Sequence, residues 1–401
     1  MARVGYTGIL VFVLIACISW MGSLFAENGR SSSVRLRLPQ HILRVGPGHT
    51  LSRPSMAALI AQDGDIVEIE AATYDGDAAV WRQNNLTLRG IGGRAVLRAN
   101  GASAEGKAIW VIKGSDAIVE NIEFVGSTVA DGNGAGIRQE GAGLIIRNCY
   151  FHHNQNGILT GQNPLSDILI ESSEFAENGN RDGYTHNIYI GTVKSFTLQY
   201  SYVHHVRVGH NVKSRAASTR ILYNRIMDEK TGNGSYQIDL PNGGLSYIIG
   251  NLVQKGPRAE NAAFVSYGAE GITHSVNQLF VVNNSFVNDQ AWGGQFIKLK
   301  AQPAVARLVN NIFVGRGKIL QDGTAEQSHN LVSRNPGFKD RTHFDYRLIA
   351  RSPAIDAAID PGTADGFDLR PMEEYVAKTG KRTRRIVGAV DIGAYEYNEQ
   401  E

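Results

Sequence analysis

The chain has 401 residues, enough for one long repeat structure or for two to three ordinary domains. A hydrophobic content of 42% excludes a globally disordered chain, and 45 glycines are typical of a fold with many tight turns. The formal charge of +2 excludes nucleic-acid binding that is driven by overall charge, so no nucleic-acid partner is expected.

The N-terminus predicts export from the cell. Arg3 precedes an apolar run over residues 8–25, which ends in small residues, and we expect cleavage after Ala26. The protein would then be secreted or periplasmic. The alternative is an uncleaved membrane anchor, because the run is almost long enough to cross a bilayer. Cleavage removes Cys17 and leaves Cys149 alone, so no internal disulfide is expected in the mature chain.

After a polar linker over residues 27–41, the sequence predicts a strand, a short helix over residues 55–62 and a second strand. We expect the helix to cap the open end of a repeat structure, whose terminal strands would otherwise expose unpaired backbone groups. From residue 137 onward, short alternating runs and polar turns recur every 21 to 30 residues. Repeats of this size and composition indicate a solenoid.

One alternating run of each repeat ends in a small polar residue. Stacking of identical turns lets such side chains hydrogen-bond to one another along the stack, as asparagine ladders do. The sequence therefore predicts a structural ladder, rather than a site, in the column formed by Asn148, Ser173, Ser201, Asn224, Asn251, Asn284 and Asn311.

This pattern resembles the right-handed parallel β-helix of the pectate-lyase-like superfamily over residues 42–311. The opening DGDIVEIEAATYDG and the ending VGAVDIGAYEY also resemble segments of secreted members. The resemblance implies an all-β chain with an N-terminal capping helix and a β-helix domain over residues 42–329. Residues 330–401 would form the last coils and a loop-rich C-terminal extension over the far end. Two capped ends predict a monomer.

Three consecutive repeats carry an unusual density of polar side chains. They read THNIYIGTVKSFTLQYSYV from Thr185, GHNVKSRAASTRILYNRIM from Gly209 and SYQIDLPNGGLSYIIGNLV from Ser235. Because side chains alternate along a strand, the apolar residues at positions 188, 212 and 238 are expected to point inward. The neighbouring residues then form an outward column, in chain order Arg138, Leu159, Tyr189, Lys213 and Asp239. A second outward row is expected from Asn187, Asn211 and Gln237.

These side chains predict a groove that binds an acidic polysaccharide. Arginine and lysine pair with a carboxylate, and amides bind hydroxyl groups. We expect Lys213 to act as a general base and Tyr189 or His210 as the acid. Arg215, Asn187 and Asn211 would neutralise the substrate carboxylate. The other expected binding residues are His186, Gln237, Tyr236, Asn242 and Arg138.

Asp239 has two expected roles. It would orient Lys213, or it would bind a calcium ion that bridges to the substrate, and calcium is the one cofactor that the residues suggest. Glu270 and His274 are expected only at the rim of the groove.

The segment around Lys213 resembles the Lys-Ser-then-Asn pattern of alginate lyases and chondroitinase B. Lys213, Ser214 and Asn224 match that pattern, and the resemblance implies β-elimination with a lysine base. The arginine of those lyases would fall near Asp239, where this chain has none, so Arg215 is expected to replace it.

Three alternatives stay open at this point. A uronate C5-epimerase would use the same residues. A glycoside hydrolase needs two carboxyl groups about 5–10 Å apart, and Asp182 or Asp228 would have to approach Asp239. A non-catalytic glycan-binding protein would keep the groove and need no base.

Overall fold

The structure is a computed structural model that describes residues 41–399. In this range the chain winds into a parallel β-solenoid of about ten coils, whose strands form three long sheets of ten, eleven and twelve strands. This confirms the predicted all-β fold. The predicted signal segment and almost all of the linker lie outside the described residues. Among the described residues, no helix is long and apolar enough to cross a membrane.

Each of the three sheets is named by the number of strands that it contains. The ten-stranded sheet contains Ala79–Trp81, Ala108–Ile112, Ala135–Gln139, Asn156–Thr160, Ile188–Ile190, Val212–Ser214, Ile238–Leu240, Ala263–Tyr267, Gly294–Leu299 and Gly317–Gln321. The twelve-stranded sheet contains Ile42–Val45, Ile66–Glu70, Thr87–Ile91, Ala117–Glu120, Leu144–Arg147, Asn163–Glu171, Val193–Gln199, Ser218–Leu222, Leu245–Ile249, Gln278–Val282, Val305–Val309 and Glu326–Ser328. The eleven-stranded sheet contains Thr73–Asp75, Ala95–Arg98, Ile122–Val125, Tyr150–His152, Glu174–Ala176, Tyr202–His204, Arg225–Met227, Leu252–Lys255, Ser285–Asn288, Ile312–Val314 and Leu331–Ser333.

The interior of the solenoid is filled by side chains that repeat from coil to coil. Ile158, Ile188 and Val212 occupy equivalent positions on paired strands and are fully buried. The rings of Phe124 and Phe151 stack with centroids 4.8 Å apart. Burial of each such side chain contributes about 1.5–3 kcal/mol, so the stacked coils stabilise one another along the whole length.

Within residues 41–399 there is one α-helix, Pro54–Ile60, and it covers the N-terminal end of the solenoid, as predicted. Proline suits the first turn because it lacks the backbone N–H that would have no helical partner there. The N–H of Ser55 donates to the Asp77 carboxylate at 3.0 Å, and Ala57 is fully buried. The helix is thereby fixed to the coil beneath it.

The polar ladder is present, with one correction. Asn224 Nδ2 donates to Asn251 Oδ1 at 3.0 Å, and Asn251 Nδ2 donates to Asn284 Oδ1 at 2.9 Å. The residue that stands beside Ser173 in the ladder is Cys149, whose N–H donates to the Ser173 hydroxyl at 3.1 Å. Asn148 is exposed and adopts a positive φ of 50°. The prediction for Asn148 was wrong because the register of the flanking strands, which pairs Arg147 with Glu171 and Tyr150 with Glu174, places Cys149 opposite Ser173.

The C-terminal extension packs along the side of the later coils. It contains the 3₁₀ helix Arg341–His343 and three antiparallel hairpins, formed by Phe338–Asp340 with Asp345–Leu348, Thr363–Ala364 with Phe367–Asp368, and Glu373–Val376 with Gly380–Thr383. Leu369 packs with Leu222, Ile249 and Val282 on the outer face of the twelve-stranded sheet. The contacts of the extension therefore lie on the outer side of the coils, whereas the sequence placed them over the far end.

The ladder predicts a stability effect for Asn251→Ala. This change leaves the buried N–H of Asn224 without an acceptor and removes one of the two acceptors of its Nδ2 group, which also donates to the carbonyl oxygen of Leu198. We expect a loss of about 1–3 kcal/mol, because each unpaired buried group costs its full desolvation penalty. The measurement is the free energy of unfolding in urea. Asn148→Gly is the matched control, because glycine keeps the positive φ and the side chain is exposed. An equal loss in both variants would contradict the ladder.

Candidate functional site

The candidate site is built on the outer face of the ten-stranded sheet. The strands pair Leu159 with Tyr189, Tyr189 with Lys213, and Lys213 with Asp239. Neighbouring strands lie about 4.8 Å apart, so these side chains form one column along the solenoid axis. Arg138 pairs with Leu159 at the near end of the column, and its Nε lies 3.8 Å from Glu140. The register is the one expected from the alternation of residues.

Lys213 lies between two carboxylates. Its Nζ is 3.6 Å from Asp239 Oδ2 and 3.1 Å from Glu270 Oε1. Only 12% of the lysine side chain and 3% of the Asp239 side chain are exposed, so this ion pair is shielded from bulk water, whereas 46% of the Glu270 side chain is exposed. The ammonium also lies over the Tyr189 ring, 5.7 Å from its centroid. Lys213 is therefore held at a fixed position in the groove instead of extending into solvent.

Arg215 links three parts of the site. Its Nε donates to Tyr189 Oη at 3.0 Å, its Nη1 donates to Asn242 Oδ1, and its Nη2 lies 2.7 Å from Glu270 Oε2. Because Tyr189 Oη accepts this hydrogen bond, its own O–H remains free to donate. Arginine is suited to this role, since its planar guanidinium presents several donors in fixed directions.

Glu270 lies nearer to Lys213 and Arg215 than expected, since the sequence indicated only a position at the rim of the groove. Its two carboxylate oxygens contact Lys213 and Arg215 separately. Burial opposes its ionisation, but hydrogen bonds from Arg215 and Lys213 outweigh burial and lower the pKa of Glu270. Residues 268–277 form the long turn that carries it. The length of that turn was the available signal, because insertions in a solenoid tend to gather on the binding face.

His186, His210 and Tyr236 form a stack beside the column. The two histidine rings lie 4.7 Å apart, and Tyr236 lies 4.7 Å from His210. His210 Nδ1 accepts the N–H of Tyr236 at 3.3 Å, so the ring proton resides on Nε2, which is 3.6 Å from Asp239 Oδ2. Burial holds the pKa of His210 well below its ordinary value. His210 is therefore a neutral ring that contacts Asp239.

His186 was expected to bind the substrate, but it is buried and cannot contact one. Its Nδ1 accepts the backbone N–H of His210 at 3.0 Å, and only 2% of the residue is exposed. Burial lowers its pKa to about 3. The residue acts as a structural support under the stack.

The expected outward row of amides is also buried. Asn187 Nδ2 donates to Asn211 Oδ1 at 2.7 Å, and Asn211 Nδ2 donates to Gln237 Oε1 at 2.6 Å. All three residues are fully buried. The strands begin only at positions 188, 212 and 238, so these amides belong to the preceding turn, where alternation does not apply. They form a second ladder and cannot neutralise a substrate carboxylate.

The Lys-Ser-Asn pattern is represented in the groove by its lysine alone. Ser214 is fully buried, and its hydroxyl shares a hydrogen bond with that of Thr219 at 2.8 Å. Asn224 belongs to the first ladder. Two of the three matching residues are thus explained by the packing of the turn.

Asp239 is a buried carboxyl group with incomplete hydrogen bonding. Burial raises its pKa to about 6, although the ammonium of Lys213 opposes this shift. Its Oδ1 has no hydrogen-bond partner among the described residues. No group of three or more acidic, histidine or cysteine side chains gathers as metal ligands within residues 41–399. The neighbours of Oδ2 are Lys213 and His210, so the site fits a calcium ion poorly.

The two other carboxylates considered for hydrolysis do not join the column. Asp182 is exposed and accepts hydrogen bonds from its own turn, including that from the Thr185 N–H at 3.1 Å. Asp228 is fully buried, and its Oδ2 accepts from Gln237 Nε2 at 2.7 Å. It therefore terminates the second ladder inside the turn.

An open cleft of about 580 Å³ adjoins the column. Tyr189, Arg215 and Asn242 line it together with Gln162, Thr192, Thr273 and His274. His274 Nε2 lies 3.1 Å from the carbonyl oxygen of Arg215. The cleft lies where the strands of the ten-stranded sheet end, and polar groups predominate in it. Such a surface suits a hydrated, hydroxyl-rich ligand.

The fold is shared with a solved structure. Pectate lyase Pel9A has a TM-score of 0.60 at 13% identity, over 90% of this chain and 97% of that one. This likeness shows that the chain has the pectate-lyase-like β-helix fold. A pectin methylesterase from Aspergillus niger has a TM-score of 0.35 at 11% identity, over 79% of this chain and 92% of that one. No protein-family model and no curated protein matches the chain.

The raised pKa of Asp239 predicts a pH-dependent effect of Asp239→Asn. A carboxyl group whose folded-state pKa lies above its ordinary 3.8 stabilises the fold at low pH, and this contribution is lost as pH rises through about 6. From about pH 4 to about pH 7.5, the stability of the variant relative to the parent should rise by about 2–3 kcal/mol. Urea unfolding at several pH values measures it. Asp131→Asn, at an exposed turn position, is the control. A pH-independent difference would contradict the prediction.

Proposed function

We propose that this protein cleaves an acidic polysaccharide by β-elimination at a uronate residue. The observation that carries the proposal is the Glu270 carboxylate, which lies with one oxygen 3.1 Å from Lys213 Nζ and the other 2.7 Å from Arg215 Nη2. A substrate carboxylate that displaced Glu270 would find the same two donors. Paired charged donors of this kind are the usual means of binding a carboxylate.

The position of Lys213 suits proton abstraction. In a uronate the C5 hydrogen is next to the carboxylate carbon, so a group that reaches the carboxylate also reaches that hydrogen. The Lys213 ammonium first releases a proton to water, and the free amine then takes the C5 proton, which leaves an enolate on the carboxylate. The electron pair of the enolate forms the C4–C5 double bond as the bond from C4 to the glycosidic oxygen breaks, and the leaving oxygen takes the electron pair of that bond. Arg215 stabilises the negative charge that develops on the carboxylate.

Tyr189 is the proposed acid for the leaving oxygen. The Tyr189 oxygen accepts a hydrogen bond from Arg215, so the Tyr189 O–H does not point at Arg215. Tyr189 also lines the cleft beside the column. His210 is less suited, because its Nε2 faces Asp239 at 3.6 Å and only 8% of the residue is exposed. We therefore assign His210 to the positioning of Asp239, and Asp239 to the positioning of Lys213.

The first substrate to test is polygalacturonate. Its carboxylates meet the requirement set by Lys213 and Arg215, and the shared fold with pectate lyase Pel9A supports this choice. Fold alone does not determine function, so the argument rests on the site.

A second candidate function is glycoside hydrolysis. Asp239 and Glu270 both contact Lys213 Nζ, and their pKa values move in opposite directions, which gives a carboxyl pair with one acid and one base. Glycosidases need such a pair at short separation. Its product would be a new reducing end without unsaturation.

Lys213→Ala should abolish turnover and weaken binding without eliminating it, because Arg215 remains as a donor to the substrate carboxylate. We expect kcat to fall by about 10²–10⁴-fold, the usual contribution of a general base. The measurement is the rise in absorbance at about 235 nm, where the unsaturated uronate product of this elimination absorbs, with polygalacturonate as substrate. Lys194→Ala, which removes an exposed lysine paired with Asp167, is the control. If the parent protein binds the polymer and forms neither unsaturated product nor reducing ends, a non-catalytic binding role replaces the proposal.

Glu270→Gln separates elimination from hydrolysis. If Glu270 only occupies the place of the substrate carboxylate, its neutral variant should lower KM by about tenfold, or ~1.4 kcal/mol, with kcat little changed. If Glu270 is a hydrolytic base, kcat should collapse. Glu326→Gln, at an exposed ion pair with Arg307, is the control.

A further inference from the structure

A second cleft lies on the opposite flank of the ten-stranded sheet, where its strands begin. Its volume is about 420 Å³, and Arg181, Arg207 and Arg258 line it together with His205, Thr231 and Asn233. We call this cleft the arginine pocket. The three arginines come from the turns that precede Ile188–Ile190, Val212–Ser214 and Ala263–Tyr267. The pocket therefore spans four consecutive coils, about 14 Å at the strand spacing.

The charges of the arginine pocket are unbalanced. One carboxylate, Glu177, lines it, and its Oε2 accepts from Arg207 Nη2 at 3.1 Å. The guanidinium groups of Arg181 and Arg258 have no hydrogen bond or ion pair with any residue from 41 to 399. Both side chains are exposed. Two guanidiniums are thus available to a ligand at one end of the strands that carry Tyr189 and Lys213.

The same arrangement recurs further along the same flank. A cleft of about 490 Å³ at the turn before Gly317–Gln321 is lined by Arg316, Arg334 and Arg341, with Asp289 as its carboxylate. Arg341 pairs with Asp289 at 2.6 Å, as Arg207 pairs with Glu177. Two clefts on one flank, each with three arginines and one acid, indicate a surface that is suited to an anionic chain lying along the solenoid axis.

We propose that the arginine pocket binds anionic groups of an acidic polysaccharide, carboxylates or sulfate esters, on sugars other than the one at Lys213. The identification of the ligand as a polysaccharide rests on the proposed function. Guanidinium groups bind both anions through paired hydrogen bonds. Thr231 and Asn233 supply hydroxyl and amide groups for neighbouring sugar hydroxyls. The pocket thereby selects polymers that carry charge on successive residues over neutral ones.

Binding is measured by calorimetry in the Lys213→Ala background, so that no turnover is required. The probes are an oligogalacturonate of about eight residues, a chondroitin sulfate oligosaccharide of equal length and a neutral xylan oligosaccharide. The double variant Arg181→Gln/Arg258→Gln is compared with Arg351→Gln/Arg385→Gln, which removes the same charge from exposed positions in the C-terminal extension. We expect the pocket variant to weaken binding of one acidic probe at least tenfold at low salt. The control should change it less than twofold, and added salt should narrow the difference.

Each outcome is informative. If the pocket variant loses affinity mainly for the oligogalacturonate, the pocket binds carboxylates. If it loses affinity mainly for the chondroitin sulfate oligosaccharide, the pocket binds sulfate esters. Equal loss in the two double variants would reduce the effect to net charge and overturn the proposal, as would the absence of binding by both acidic probes. With Lys213 intact, the pocket variant should raise KM and preserve kcat. Binding that depends on the pocket without any unsaturated product would sink the lyase proposal and leave the pocket assignment in place.

Discussion

The parallel register of short strands is the constraint on which the structure depends. Each coil must place its strand directly over the one before, and a slip by one residue would exchange the inward and outward faces. The buried amides Asn187, Asn211 and Gln237 immediately precede the three strands of the site and hydrogen-bond in sequence. They fix the point at which each strand begins. The amides therefore determine which side chains enter the groove, although they never contact it.

The outer column was predictable because it follows from alternation alone. Once Ile188 and Val212 are assigned to the interior, Tyr189 and Lys213 have to face outward, and the structure pairs them. The prediction of an outward row of amides was wrong because alternation does not apply outside the strands. Strands of three residues are too short for alternation to extend to a residue on either side, so position 187 follows the geometry of its turn.

Contacts made by turns could not be predicted from the repeat. Glu270 is 57 positions from Lys213 in the chain, and the carboxylate reaches the lysine only because the long turn over residues 268–277 folds back onto the groove. The position of the arginine pocket has a similar origin, since its residues come from turns of unequal length. The periodic signal describes strands, whereas the candidate chemistry draws on both strands and turns. A repeat therefore locates the sheet that carries a site more reliably than it identifies every residue in it.

The charge balance of the site explains why a second anion-binding region would matter. Lys213 and Arg215 face Asp239 and Glu270, so two cations meet two carboxylates in the free protein. A substrate carboxylate that replaces Glu270 exchanges one anion for another, and the Coulomb energy gained at this position is correspondingly small. Affinity then has to come from contacts elsewhere along the polymer. The unpaired guanidinium groups of the arginine pocket, on the opposite flank, provide such contacts. The charged groups of the groove then stabilise the charge that develops on the substrate during the reaction.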